Sequence, residues 1–196
     1  ALGDSYTIGA SVQPQERFPA QTAMLLHNHG YQIKEVEYIA TSGWTTLNLQ
    51  AAINEKNPKG TYDIVTLLIG VNDQYQTGGD TTGYRQRFTA LLQKSIQLAG
   101  NDTAHVFVLS IPDYSVTPFA SGSDTAFISK SIDQFNYINR QVTESYGVSY
   151  TDITPYTRMA KTDASLLAAD GLHPSGKEYA VWAGLLQPTI EKVLEK

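Results

Sequence analysis

Short apolar runs alternate along this chain with longer stretches in which apolar residues recur every three or four positions. Ile64-Val65-Thr66-Leu67-Leu68-Ile69 is an unbroken β-branched and aliphatic run, the pattern of a strand buried on both faces. Val106-Phe107-Val108-Leu109 repeats that signature. Tyr31 to Ala40 alternates and reads as a strand, Gly147 to Tyr150 makes a shorter and weaker one, and Ala1-Leu2-Gly3 is the stub of another. Between these lie segments of helical period. Phe18 to Asn28 stops before Gly30, a suitable left-handed cap, and Leu47 to Lys56 stops before Asn57-Pro58. Tyr84 to Ala99 places Phe88, Leu91, Leu92, Ser95 and Leu98 on one face and ends at Gly100. Thr125 to Tyr146 carries the stripe Phe127, Ile128, Ile132, Phe135, Ile138 and Val142. The last helix starts at a capping box, Ser175 with Glu178, and runs to about Leu194.

Strand-helix alternation of this kind predicts an α/β fold of three α/β/α layers. Its parallel sheet has about five strands with helices on both faces, built as a single domain over residues 1–196. In such sheets ligands bind beyond the carboxyl ends of the strands. Ser5, Gly43 and Asn72 each follow a strand or strand stub, and His173 stands just before the final helix. The topology therefore allows these four to converge.

Composition narrows the partners. The chain has 196 residues, 14 basic and 19 acidic side chains and a net charge of −5, with no run of either sign. That balance argues against nucleic acid or an anionic membrane as the main partner. No stretch of eighteen uninterrupted apolar residues is present, so no transmembrane segment is expected. The absence of cysteine removes disulfides, thiolate metal sites and cysteine nucleophiles, and leaves the compartment open.

The chemistry lies in two separated segments. Gly3-Asp4-Ser5 and Asp170-Gly171-Leu172-His173 supply, between them, a hydroxyl nucleophile, a base and a carboxylate to orient it. A serine hydroxyl needs a base within hydrogen-bond reach at neutral pH, and His173 is the best candidate. His27 and His29 near the end of the first long helix, and His105 at the start of a strand, read as surface or strand-end residues. Asp170, three residues before His173, is placed to accept the proton on Nδ1 and leave Nε2 for the serine. Shaping the loop is its structural alternative. Two further segments at strand ends, Thr41-Ser42-Gly43 and Gly70-Val71-Asn72-Asp73, lie between them.

Together the four segments resemble the conserved blocks of the SGNH hydrolases, the GDSL esterase/lipase family, in family order and across almost the whole chain. The opening Gly-Asp-Ser-Tyr-Thr-Ile-Gly is similar to that of small bacterial acyl hydrolases of this family. The resemblance implies a flavodoxin-like fold and a two-step esterase reaction through an acyl-enzyme on Ser5. It also implies an oxyanion hole formed by the backbone N–H of Ser5, the backbone N–H of Gly43 and the side-chain amide of Asn72. No cofactor and no metal are expected. Glycine at 43 suits close approach of a substrate, which a Cβ would obstruct. Asp4 and Asp73 are expected to bond backbone amides and hold their turns, with metal binding as the alternative. A monomer acting on a small-molecule ester is the expected state, with short-to-medium acyl esters or lysophospholipid-like substrates first and deacetylation of carbohydrate second. Trp44, directly after Gly43, together with Tyr75 and Tyr114, is expected to line the substrate site. Residues 74–83 and 111–124 read as long loops, the first of them mobile, and 9–18 as a third.

The family has a longer apolar strand before the nucleophile. Either upstream residues were removed or the first strand is unusually short. Maturation of a precursor is one explanation, and it leans the compartment towards secreted or periplasmic although no signal peptide is visible. Two rival classes stay open: a flavodoxin-like electron carrier, which leaves Asn72, Asp170 and His173 without a role, and a binding module that kept the fold without activity.

Overall fold

The computed structural model describes residues 1–195. Five strands, β1 (Leu2–Gly3), β2 (Ile39–Ala40), β3 (Val65–Leu68), β4 (Val106–Leu109) and β5 (Ser149–Thr151), pair in parallel in the order β2-β1-β3-β4-β5. The α-helices are α1 (Ser5–Ile8), α2 (Phe18–Asn28), α3 (Thr46–Lys56), α4 (Val71–Thr77), α5 (Tyr84–Leu98), α6 (Thr125–Ser145), α7 (Thr154–Thr157) and α8 (Gly176–Leu194). Helix α8 packs on α2, while α5 packs on α3 and α6, so the sheet lies between two helical layers. This is the α/β fold expected. Its strand order reverses direction at β1 and β3, and the crevice above that switch point is where doubly wound sheets bind ligands.

Burial follows the sequence pattern closely in the centre. Every residue of β3 and β4 is buried, as their unbroken apolar runs require. On α5 the predicted face, Phe88, Leu91, Leu92, Ser95 and Leu98, is buried, and Ser95 returns its hydroxyl proton to Leu91 O at 2.9 Å. The stripe on α6 is buried from Ile128 to Val142, but Phe127 stands 51% exposed at the helix's first turn.

The strand expected over 31–40 is the main difference. Only Ile39 and Ala40 pair, opposite Leu2 and Gly3. A ladder needs backbone groups on both sides, and β1 offers an edge of two residues, so alternation further back finds no partner there. Instead Ile39 N–H donates to Ala1 O at 2.9 Å and the Ala1 amino group donates to Glu37 O at 2.8 Å. Residues 31–37 and 61–64 flank a groove of ≈ 450 Å³ at this end of the sheet.

Two local expectations also change. The segment 74–83 is half helical, because α4 extends to Thr77 before Gly78 ends it in the left-handed region. The capping box of α8 is half formed. Ser175 Oγ accepts the Glu178 N–H, but the Glu178 carboxylate turns inward to accept the Trp182 Nε1–H at 2.9 Å. A buried indole donor needs that partner, and the N-cap amide has another, because the Ser175 N–H donates to Leu166 O at 2.8 Å.

Candidate active site

The Gly3-Asp4-Ser5 segment is set by packing. Gly3 ends β1 where the chain passes close to its neighbours: a Cβ there would lie 2.1 Å from Thr7 Oγ1 and 2.4 Å from Leu68 O. Asp4 follows, fully buried, and caps α1 by accepting the Tyr6 N–H at 3.0 Å. Burial pushes the Asp4 carboxyl up to about 7, with the neighbouring Asp73 charge adding to the rise and the Tyr6 and Asn72 hydrogen bonds opposing it. Ser5 is the first residue of α1 and 5% exposed, so its hydroxyl opens from the core into the crevice.

The second block hangs from the third. Asp73 on α4 accepts the Thr46 N–H at 2.8 Å and the Thr46 hydroxyl at 2.6 Å, with Arg87 Nη2 3.5 Å away. Gln76, one turn further along α4, donates to Gly43 O at 3.2 Å. Asn72 donates to Trp44 O at 3.0 Å and makes a longer contact of 3.4 Å to Asp4 Oδ2. Thus Asp4 and Asp73 both bond backbone amides, and Asp73 braces the Gly43 loop rather than its own turn. Gly43 has φ +83, which favours glycine, and a Cβ there would meet nothing of the chain within 4 Å. Backbone conformation, not crowding by the chain, is its structural requirement.

His173 and Asp170 lie on the loop before α8. Asp170 Oδ2 is 2.6 Å from His173 Nδ1, while Asp170 Oδ1 accepts the Leu172 and His173 N–H groups, each at 3.0 Å. Burial raises the Asp170 carboxyl, but the hydrogen bonds from Ser11, His173 and Leu172 outweigh it and hold the group well below the usual carboxylate range. Tyr6 packs its ring against His173 at 5.1 Å between centroids.

Ser5, Gly43, Asn72 and His173 line one cavity of ≈ 190 Å³, with Tyr75, Tyr114 and Phe119 forming an aromatic wall. The three rings stand 5.9 to 6.2 Å apart, and the Tyr114 hydroxyl is fixed to Gln74 Oε1 at 2.9 Å. Trp44 was expected in this lining and is not in it: it is partly buried and packs against the core, and its carbonyl accepts from Asn72. Among the described residues, Ser5 Oγ makes no hydrogen bond, and neither the Ser5 nor the Gly43 backbone N–H is engaged by another backbone group. Also among them, no group of three or more His, Cys, Asp or Glu side chains could hold a metal ion.

Residues 1–181 match the model of the GDSL-like lipase/acylhydrolase family. This chain belongs to that family. As a GDSL-family protein it is a carboxylic ester hydrolase. No curated protein matches it in sequence. Solved structures share the fold at low identity. The psychrotrophic esterase EstA from Pseudoalteromonas sp. is 18% identical, with a TM-score of 0.68 over 100% of this chain and 97% of that one. A lipase from a goat rumen metagenome is 22% identical, with a TM-score of 0.74 over 96% and 94% of the two chains. The acetylxylan esterase Axe-2 of Geobacillus stearothermophilus is 22% identical, with a TM-score of 0.70 over 96% and 91%.

Phe119, an aromatic of the 111–124 loop, completes the aromatic wall while its N–H donates to Gly171 O at 3.2 Å. Two residues around this cavity carried no sequence signal: Gln76 and Arg87 brace the Gly43 loop from α4 and α5. Each acts across a tertiary contact, which spacing along the chain does not reveal. The other histidines lie elsewhere: His29 is 2.8 Å from Glu191, and His105 Nδ1 is 2.5 Å from Asp63 O. No helix is long and apolar enough to cross a membrane among the described residues.

Proposed function

We propose that the chain is a serine esterase that cleaves carboxylic esters through Ser5, His173 and Asp170 and an acyl-enzyme on Ser5. The observation that carries this reading is the cavity that Ser5, Gly43, Asn72 and His173 share, with Asp170 bonded to His173 Nδ1 at 2.6 Å. With Nδ1 so engaged, Nε2 is the nitrogen left to act as base. Ser5 Oγ attacks the ester carbonyl as His173 takes its proton, and the alcohol leaves carrying that proton. Water, deprotonated by the same histidine, then releases the acid and restores the Ser5 hydroxyl. The free enzyme lacks a Ser5–His173 hydrogen bond, and such contacts commonly close only when substrate is bound.

The oxyanion would be received by the Ser5 and Gly43 amides and by Asn72. Asn72 has two amide hydrogens. One is held by Trp44 O at 3.0 Å, and the other has only the 3.4 Å contact with Asp4, so it is the one available as charge develops. The aromatic wall and the small cavity suit a short-to-medium acyl group, with a lysophospholipid-like ester as the other substrate of this reading. A second reading, deacetylation of carbohydrate, is favoured by Tyr75 and Phe119, whose rings are 56% and 49% exposed at the cavity and could stack on a sugar.

The test is hydrolysis of 4-nitrophenyl esters from acetate to decanoate beside acetylated sugars, with Ser5→Ala run in parallel. Turnover that peaks at short or medium chains and falls at least about 10³-fold in the variant supports the esterase reading. Turnover confined to acetylated sugar selects the second reading. Equal rates in parent and variant would sink the assignment of Ser5.

A further inference from the structure

We infer that Ser11 is a positioning residue whose hydroxyl holds the Asp170 carboxylate in the orientation that serves His173. The inference rests on the triad proposed above. Ser11 Oγ donates to Asp170 Oδ2 at 2.5 Å across 159 residues of sequence. That oxygen is the one facing His173 Nδ1, while Oδ1 takes the two loop amides. The carboxylate is thereby held at both oxygens, and a hydroxyl bonded to an ionised acceptor makes the stronger kind of hydrogen bond.

The backbone at Ser11 supplies an independent observation. Its φ is +65, in the left-handed region. The other non-glycine residues with positive φ among those described are Asn57 and Asn101, of the type that adopts this conformation readily. Serine at such a φ costs about 1 kcal/mol. Packing does not hold it there, because Ser11 is exposed. Its one side-chain hydrogen bond among the described residues is the one to Asp170. Strain kept at an exposed position, aimed at a functional carboxylate, points to the bond as the reason.

The connection also has a direction. Helix α1 starts at Ser5 and ends against Gly9, and Ser11 lies two residues beyond. The short segment that carries the nucleophile is thus fastened to the loop that carries the base. Beside His173, Tyr6 of α1 and Tyr179 of α8 are titratable side chains whose phenols burial and this carboxylate push up, and neither hydroxyl bonds Asp170 among the described residues.

Ser11→Gly removes the hydroxyl while accepting the backbone conformation. The expected result is a fall in kcat of about tenfold, the low end for loss of an orienting outer partner, with KM within about twofold and Tm not lowered. Ser11→Asn, which tolerates the left-handed region and restores a donor, should recover much of that loss. In an Asp170→Asn background the glycine change should add less than about twofold, since no carboxylate remains to be held. A merely structural tether would lower Tm and reduce rate equally in both backgrounds. The His173 Nδ1–H proton resonance gives a readout without substrate: it should shift or broaden in Ser11→Gly. The inference is overturned by an unmoved resonance, by kcat within twofold of the parent, or by an equal loss in the Asp170→Asn background. If Ser5→Ala and Asp170→Asn themselves keep full turnover, the triad reading fails instead, which is a separate outcome.

Discussion

The two halves of the site are held in opposite ways. The segment from Leu2 to Thr7 is buried apart from its opening to the cavity: Leu2 is 3% exposed, Asp4 and Thr7 0%. The loop bearing Asp170 and His173 is open to solvent, its carboxylate 30% exposed and its imidazole 14%. An antiparallel bridge between Leu167 and Pro174 closes that loop, and hydrogen bonds from Ser11 and Phe119 tie it down. Packing fixes Ser5, and polar contacts hold His173. A close-packed block tolerates no added atom, whereas a hydrogen-bonded loop gives gradually.

A pair of glycine substitutions tests that contrast most severely. Gly3→Ala would put a methyl group against Leu68 O at 2.4 Å, a backbone atom that cannot rotate away, so loss of at least about 3 kcal/mol of stability is expected in denaturant titration. Gly171→Ala meets Pro118 Cβ at 3.3 Å and must adopt φ +66, so about 1–2 kcal/mol is expected, with the fold kept. Equal losses at the two sites would break the comparison.

Asn72→Ala tests the element between them. It should lower kcat by about 10²–10³ and change KM far less, because the bond strengthens as the oxyanion forms. A kcat left unchanged in steady-state assays would remove Asn72 from the oxyanion site.

A last test concerns pH. Asp4 holds its proton up to about 7 in the folded protein against 3.8 for the ordinary group. Between those values the folded state binds more protons than the unfolded chain, so this group's contribution to stability is present below about 4 and is lost as pH rises to about 7. Asp4→Asn should remove that loss and therefore stabilise the protein more at pH 7.5 than at pH 4.5 relative to the parent. The slope removed is at most about 1.4 kcal/mol per pH unit. Identical pH profiles of unfolding for parent and variant would show that the carboxyl is not held protonated.

Much of this was legible along the chain. The runs 64–69 and 106–109 announced β3 and β4 because a central parallel strand must be apolar on both faces. The helix ends at Asn28, Lys56 and Leu98 fell where glycine, or asparagine followed by proline, interrupts the helical pattern. Three of the four blocks were expected beyond strand ends, and the structure brings Ser5, Gly43, Asn72 and His173 to one cavity. What failed was local pattern without a partner. Residues 31–38 alternate correctly and still do not pair, because pairing belongs to two segments at once. Trp44 is next to Gly43 in sequence, yet it packs partly buried against the core and is not among the residues that line the cavity.

The sequence by itself determined the order of strands and helices, their parallel arrangement and the residue types able to do acyl chemistry. These depend on periodicity, turn residues and chemical identity, all of which are local. Only the tertiary structure decided which side chains face the cavity, that Ser11 meets Asp170, and that Gln76 and Asp73 brace the Gly43 loop. Those contacts join residues 27 to 159 positions apart, and their geometry follows from how the layers pack rather than from the residues' neighbours in the chain.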